Sequence, residues 1–307
     1  MNTLLVAEES AGLQTLRMLL EIGHSVVAVL TSEAPSSRGA TVGDLARRSG
    51  VTVLDSELVR DGAFAEWIAN YDVDLLLNIH SLFVIHRDVV AAPTIGSFNL
   101  HPGPLPHYAG LDAPSWAIYN GELTHAVTLH WMEPGVDTGP VAYTEEFPID
   151  ADETGLSLSV KCIRLALPLV RSLLEQAERD PGGIPIHPQD LRRRRYYGRK
   201  PPQEGKIEWG RPAREIVRFV RASDFAPFDS PWGHPISTAG ETSVRIAKAA
   251  LTARPTSEEP GTVAEWDGKG VYVAAADEWV GVLRLERDGK YEHAADILAP
   301  AMMLGDV

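Results

Sequence analysis

Two periods of apolar residues organise the first eighty positions. Thr3 to Ala7 and Val26 to Leu30 are apolar runs of strand length, and Leu13, Leu16, Leu19 and Leu20 recur between them at helical spacing. Gly23 falls where such a helix would be capped. A strand–helix–strand opening predicts a parallel sheet. Helices are predicted over 41–49 and 61–71, with strands at 51–54 and 74–79. Ser97 to His101 reads as a short strand entering a turn with three prolines, His101-Pro102-Gly103-Pro104-Leu105-Pro106. At period two, Asn99 and His101 face the same side. Ala126 to Met132 is rich in β-formers, and the loop Glu133 to Gly139 then delivers Asp137.

Farther along, Leu156 to Glu178 predicts a long amphipathic helix, with a kink or break expected at Pro168. Ile184 to Gly205 is polar and basic, with Arg192-Arg193-Arg194-Arg195 and Arg199-Lys200 inside it, and reads as a linker. Arg211 to Ala222 has helical spacing. The short β-like runs after it, at 244–247, 270–274 and 280–285, predict a small barrel or sandwich. The tail after Leu298 is expected to fray. The pattern divides the chain into a first domain over 1–183, a linker over 184–205 and a C-terminal β domain over 206–307.

Composition narrows the function classes. A single cysteine, Cys162, excludes an internal disulfide and a cysteine-based zinc site, which fits a reducing compartment. No apolar run approaches the roughly 20 residues needed to span a bilayer. Met1 leads into a strand-like run without a basic region, so no secretory signal is expected and a cytoplasmic location is. The net charge is −14, from 28 basic and 42 acidic residues. Because nucleic-acid binding draws on phosphate neutralisation, this lowers the expectation of an RNA partner. The first turn, Glu8-Glu9-Ser10-Ala11-Gly12, lacks the glycine pattern of dinucleotide sites, and its two carboxylates would repel a pyrophosphate.

Open α/β sheets bind ligands beyond the carboxyl ends of their strands, here after Ile79, Leu100 and Met132. Asn99, His101 and Asp137 would gather an amide, an imidazole and a carboxylate there, with a proline-stiffened turn to hold them. Taken singly, each also reads as a turn residue bonding free backbone groups.

The string Asn99-x-His101, Pro104-Leu105-Pro106, Tyr108, Gly110, Trp116, Gly121, Val127-Thr128, Met132 and Asp137-x-Gly139 resembles the signature of the formyltetrahydrofolate-dependent formyltransferases. The resemblance implies a Rossmann-like, mostly parallel α/β sheet with helices on both faces, followed by a smaller OB-like β-barrel domain. It implies 10-formyltetrahydrofolate as co-substrate, no metal, and Asn99, His101 and Asp137 as the catalytic trio. It also places Phe83, Val84 and Ile85 with Val136 and Asp137 beside the folate, although Phe83-Val84-Ile85 reads equally as core. Pro104 and Tyr108 would meet the acceptor, and Arg195 and Arg199 its phosphates, the basic cluster being otherwise a solvated linker. Trp116 reads as core, Trp232 as a residue lining the acceptor side, and His107, His125 and His130 as incidental.

Formyl transfer to an amine needs donors for a developing oxyanion, a base for the amine proton and a proton for the leaving nitrogen. Asn99 can donate at any pH, His101 can take a proton near neutrality or, when charged, help hold the oxyanion, and Asp137 can set the tautomer of His101 and stabilise its charged form or accept a proton through water. The division of roles between His101 and Asp137 stays open at this level. Acceptors of tRNA type are expected to need a basic insertion early in the first domain, where residues 31–43 carry only Arg38. A small-molecule amine, such as a nucleotide-linked amino sugar or an amino acid-like amine, is therefore the expected acceptor, with methionyl-tRNA and water as alternatives. The water-using hydrolases carry a regulatory domain ahead of the core, which begins here at Thr3. A homodimer is left open.

Overall fold

The computed structural model describes residues 1–32, 39–81, 83–240, 242–266, 270–287 and 289–305. Arg38 lies outside the described residues. The chain forms two compact units, one of residues 1–110, 126–147 and 161–196, the other of 111–125, 148–160 and 197–307. The second unit thus includes two segments that precede the expected linker.

The first unit opens with β1 (Asn2–Ala7), α1 (Glu9–Glu21), β2 (Ser25–Thr31), α2 (Val42–Arg48) and β3 (Thr52–Asp55). It continues with α3 (Phe64–Asn70), β4 (Leu75–Ile79), α4 (Arg87–Ala91), β5 (Gly96–His101) and β6 (Ala109–Gly110). Then come β7 (Thr124–Trp131), β8 (Val141–Pro148), α6 (Gly155–Arg179) and β9 (Tyr196–Tyr197), while α5 (Ala113–Asn120), between β6 and β7 in the chain, belongs to the second unit. The sheet runs β3-β2-β1-β4-β5-β7-β8. Its first five strands pair in parallel, as continuous apolar runs buried on both faces do. Leu4, Val6, Ala28, Leu30 and Leu76 pack on one face with Phe64, Ile68 and Val89 of α3 and α4. Leu5, Val29, Leu75 and Leu77, in the alternate positions, are equally buried.

Strand β7 departs from the expected layout by running antiparallel to β5, with Phe98 opposite Trp131 and His101 opposite Thr128. The end of β7 therefore lies beside the start of β5, not at the edge where β4 and β5 finish. The Glu133–Gly139 loop folds back to return Asp137, and a bond from the Trp131 N–H to the Pro140 carbonyl (2.9 Å) closes it. The expected break at Pro168 does not occur, since α6 runs on to Arg179. The stretch read as a linker is also tied down. His187 and Val141 exchange backbone hydrogen bonds (2.9 and 3.0 Å), and the Trp131 indole N–H donates to the Pro185 carbonyl (2.8 Å).

The second unit contains α7 (Ala213–Ala222), β10 (Ile236–Ala239), β11 (Thr242–Pro255), β12 (Val263–Glu265) and β13 (Val271–Ala274). It ends with β14 (Glu278–Arg287), β15 (Lys290–His293) and β16 (Leu304–Gly305). Its sheet follows the path β12-β13-β14-β11-β10-β16, with β15 on β14. Register shifts near Lys248 interrupt the β11–β14 ladder, as bulges do where a sheet must bend. The path curls until its ends are tied. Leu304 N–H donates to the Gly261 carbonyl (2.8 Å) and Val263 N–H to the Met302 carbonyl (2.9 Å). The expected fraying after Leu298 is thus overturned through residue 305, since Leu304 is buried and paired. Ile216, Val217, Phe219 and Val220 form the buried stripe of α7. Among the described residues, no helix is long and apolar enough to cross a membrane.

Candidate active site

Four polar side chains of the first unit meet where β5 and β7 pair. The register sets Asn99 opposite His130 and His101 opposite Thr128, so the period of two puts Asn99 and His101 on one face. The Asn99 carbonyl oxygen accepts from Asn78 Nδ2 (2.8 Å), leaving its Nδ2 to reach His130 Nε2 (3.0 Å) and Asp137 Oδ1 (3.3 Å). Both hydrogens of the Asn99 amide are thereby engaged. His130 Nδ1 lies 2.7 Å from the Trp131 carbonyl, which can only accept. The proton of neutral His130 therefore sits on Nδ1, and Nε2 accepts from Asn99.

The same logic orients His101. Its Nε2 is 2.6 Å from the Tyr108 carbonyl and must carry the hydrogen, so in the neutral ring the lone pair is on Nδ1. Nδ1 lies 3.7 Å from Asp137 Oδ2. Thr128 supports the adjacent turn by donating to the Gly103 carbonyl (2.7 Å). Asp137 stands at φ +55, in the left-handed region that aspartate tolerates better than most residues. Its Oδ2 accepts the Gly110 backbone N–H at 2.7 Å. At Gly139 the backbone passes so close that a Cβ would sit 1.9 Å from the Trp131 carbonyl oxygen, which only glycine avoids.

Burial governs the protonation of both partners. It pushes His101 below its ordinary 6.5, against the pull of Asp137 and the Tyr108 carbonyl. Burial opposes ionisation of Asp137 as well, but the charge that His101 gains on protonation and the Gly110 N–H outweigh it and hold the carboxyl at about 2. At neutral pH the pair is thus a carboxylate beside an uncharged imidazole, and Asp137 is held most strongly once His101 takes up a proton.

The remaining sequence candidates separate. Ile85 belongs to the hydrophobic core with Phe83 packed against it, whereas Val84 is 78% exposed. Val136 is partly exposed beside Asp137, and its carbonyl accepts from Arg194. Pro104 is half-buried and Tyr108 is buried, each contributing a backbone carbonyl, Pro104 to His107 and Tyr108 to His101. The Arg195 side chain is exposed, and its backbone bonds Pro106 and Ala109. Arg199 is an exposed residue of the second unit. Trp232, expected to line the acceptor side, is instead buried, with its indole N–H on Asp112 and its ring edge-on to Trp116. Glu8 does not face solvent but accepts from Ser32 N–H (2.6 Å) and from the hydroxyls of Thr31 and Ser32.

Two members of the cluster escaped the sequence reading. His130 reads as incidental in the sequence, yet it bonds Asn99 and lies 3.5 Å from Asp137. Asn78 holds the other end of the Asn99 amide, and its own Oδ1 is buried without a hydrogen-bond partner among the described residues. The signal for Asn78 was a lone amide inside the apolar run Leu75-Leu76-Leu77. His130 could be placed only once β7 was known to pair with β5.

The sequence profile described as "Formyl transferase" matches residues 9–166, and "Formyl transferase, C-terminal domain" matches residues 200–300. The chain belongs to the formyl transferase family. A methionyl-tRNA formyltransferase of Sorangium cellulosum is 29% identical, over 97% of this chain and 96% of the relative. The fold is also similar to HypX of Aquifex aeolicus (TM-score 0.67, 20% identity), covering 97% of this chain and 48% of HypX. The chain thus spans about half the length of HypX. An N-formyltransferase of Helicobacter canadensis, solved with folinic acid and dTDP-3-aminofucose, has a TM-score of 0.66 at 18% identity, covering 91% of this chain and 98% of that one. A sequence relative of this formyltransferase is thus named for tRNA and a structural neighbour was solved with an amino-sugar nucleotide, and the charge argument against tRNA is not supported.

Proposed function

We propose that this chain moves the formyl group of 10-formyltetrahydrofolate to the primary amine of a small molecule. The observation that carries the reading is the convergence of Asn99, His101 and Asp137, with Asp137 3.3 Å from the Asn99 amide and 3.7 Å from His101 Nδ1. The donor set suits a formamide and an amine, since it combines N–H donors, a base and the unpartnered buried Asn78 Oδ1, which can accept an N–H. When bound, the folate supplies an activated carbonyl. His101 takes the amine proton at Nδ1 while its Nε2–H stays anchored on the Tyr108 carbonyl, so the ring does not turn during the transfer. Asp137 stabilises the resulting imidazolium, which returns its proton to the departing folate nitrogen as the bond from that nitrogen to the formyl carbon breaks, leaving tetrahydrofolate. Asn99 gives up one of its two present N–H contacts to donate to the formyl oxygen as that oxygen gains charge.

For the acceptor, the exposed Arg193, Arg195, Arg199 and Lys200 support a phosphate-bearing amine. Methionyl-tRNA is the second reading, favoured by the near full-length match to the Sorangium cellulosum relative. A panel of nucleotide-linked amino sugars, amino acids and initiator methionyl-tRNA, each with 10-formyltetrahydrofolate, separates the two. Release of tetrahydrofolate and a formylated small product is expected. Efficient formylation of the tRNA alone would overturn the acceptor, and formate release at full rate without any amine would replace transfer with hydrolysis.

A further inference from the structure

Between Val136 and Gly139 the backbone is held from one side by two side chains that the sequence placed in a linker. Gln189 Nε2 donates to the carbonyls of Asp137 (3.0 Å) and Gly139 (2.6 Å), and Arg194 Nη2 donates to the Val136 carbonyl (2.9 Å). Three carbonyls that flank or belong to the left-handed Asp137 are thus fixed by two residues of a single segment. That segment is itself anchored, through His187 on Val141 and through Pro185 on the Trp131 indole. The Arg194 guanidinium also lies over the Tyr196 ring, 5.1 Å from its centroid, which restrains the arginine from reaching into solvent. Gln189 can face these carbonyls only with its amide nitrogen, since an oxygen there would oppose two acceptors.

We infer that Gln189 and Arg194 are positioning residues for Asp137, a clamp that keeps the carboxylate turned towards His101 and Asn99 rather than a pair that touches substrate. The inference rests on the proposed role of Asp137. The left-handed backbone is sparsely populated for a residue with a side chain and persists when its surroundings over-determine it. Two side-chain donors on its own and flanking carbonyls are such surroundings. When the clamp is released, Asp137 relaxes, its carboxylate moves away from His101, and the imidazole loses the neighbour that favours its charged form.

The test uses the full chain carrying Gln189→Ala, Arg194→Ala and, as a conservative rescue, Arg194→Lys, whose ammonium can still donate to Val136. With acceptor and donor saturating, Gln189→Ala and Arg194→Ala are expected to lower kcat about 10- to 100-fold, as a misplacement of about 1 Å does. KM for the acceptor is expected to stay within twofold, and Arg194→Lys to recover most of the rate. An NMR titration of His101, assigned with His101→Gln, reads the clamp without any activity. The His101 midpoint is expected to fall in Gln189→Ala and Arg194→Ala, so the clamp and the proposed reaction can fail separately. A His101 midpoint unchanged in both alanine variants would overturn the inference. So would a rise in acceptor KM at unchanged kcat in Arg194→Ala, which would make Arg194 a substrate contact. If Gln189→Ala does not fold, the two Arg194 variants carry the same test.

Discussion

Replacing Asp137 by asparagine removes one charge at nearly constant shape. The amide oxygen can still accept the Gly110 N–H that Oδ2 now takes at 2.7 Å, while the NH2 that replaces Oδ1 gives up the bond from Asn99 Nδ2 (3.3 Å) and can face the bare Nε2 of His130, 3.5 Å away. What is lost is attraction between the carboxylate and the imidazolium that forms when His101 takes a proton. Across 3.7 Å, at an effective dielectric of about 20, that attraction is about 4 kcal/mol, equivalent to a rate loss of about 10³. Initial rates of tetrahydrofolate release under saturating donor and acceptor measure it directly. A kcat for Asp137→Asn within threefold of the unaltered protein would refute the charge-stabilisation argument. The substitution also affects stability. A carboxyl held at about 2 against an ordinary 3.8, largely by the charge of protonated His101, stabilises the fold by about 2 kcal/mol in the acid range where His101 keeps its proton. Because the folded value is the lower one, that contribution is fully present above about pH 4 and is lost as pH falls through 2. Asp137→Asn should therefore flatten this part of the acid-unfolding curve.

Three further outcomes follow from the same geometry. Asn99→Ala is expected to lower kcat about 10²- to 10³-fold with little change in folate affinity, read from rates and an equilibrium binding titration. An unchanged rate would remove Asn99 from the chemistry. The acid limb of the kcat/KM profile is expected below the ordinary histidine value of 6.5, because burial lowers His101 and the neutral ring is the base. A limb above 6.5 would point to another group. Gly261→Ala is expected to cost about 2–4 kcal/mol in a denaturant titration, because its φ of +94 is hostile to a Cβ that would also sit 2.0 Å from the Leu304 carbonyl oxygen. A midpoint unmoved by that change would mean that the tie between the ends of the C-terminal sheet is dispensable.

The local chain already determined much of this protein. The unbroken apolar runs at β1, β2 and β4 need burial on both faces, and the helical stripe of α1 between two of them leaves little but a parallel sheet. Likewise, the period of two in β5 was enough to set Asn99 and His101 side by side, and the motif string was enough to bring Asp137 into the same site. What depends on partners distant in sequence could not be read locally. The antiparallel sense of β7, the pairing of His130 with Asn99, and the fold-back that returns Asp137 all follow from which strand lies beside β5. The residues at 184–205 look like a solvated linker by composition, because nothing in a polar stretch states which carbonyls it will bond. Only the packed chain brings Gln189 and Arg194 onto the backbone of the Asp137 loop, and Leu304 onto Gly261. Hydrophobic periodicity acts over a few residues and is written in the sequence. The hydrogen bonds from Gln189 and Arg194 that hold the Asp137 loop span 50 residues or more, and tertiary structure decides them.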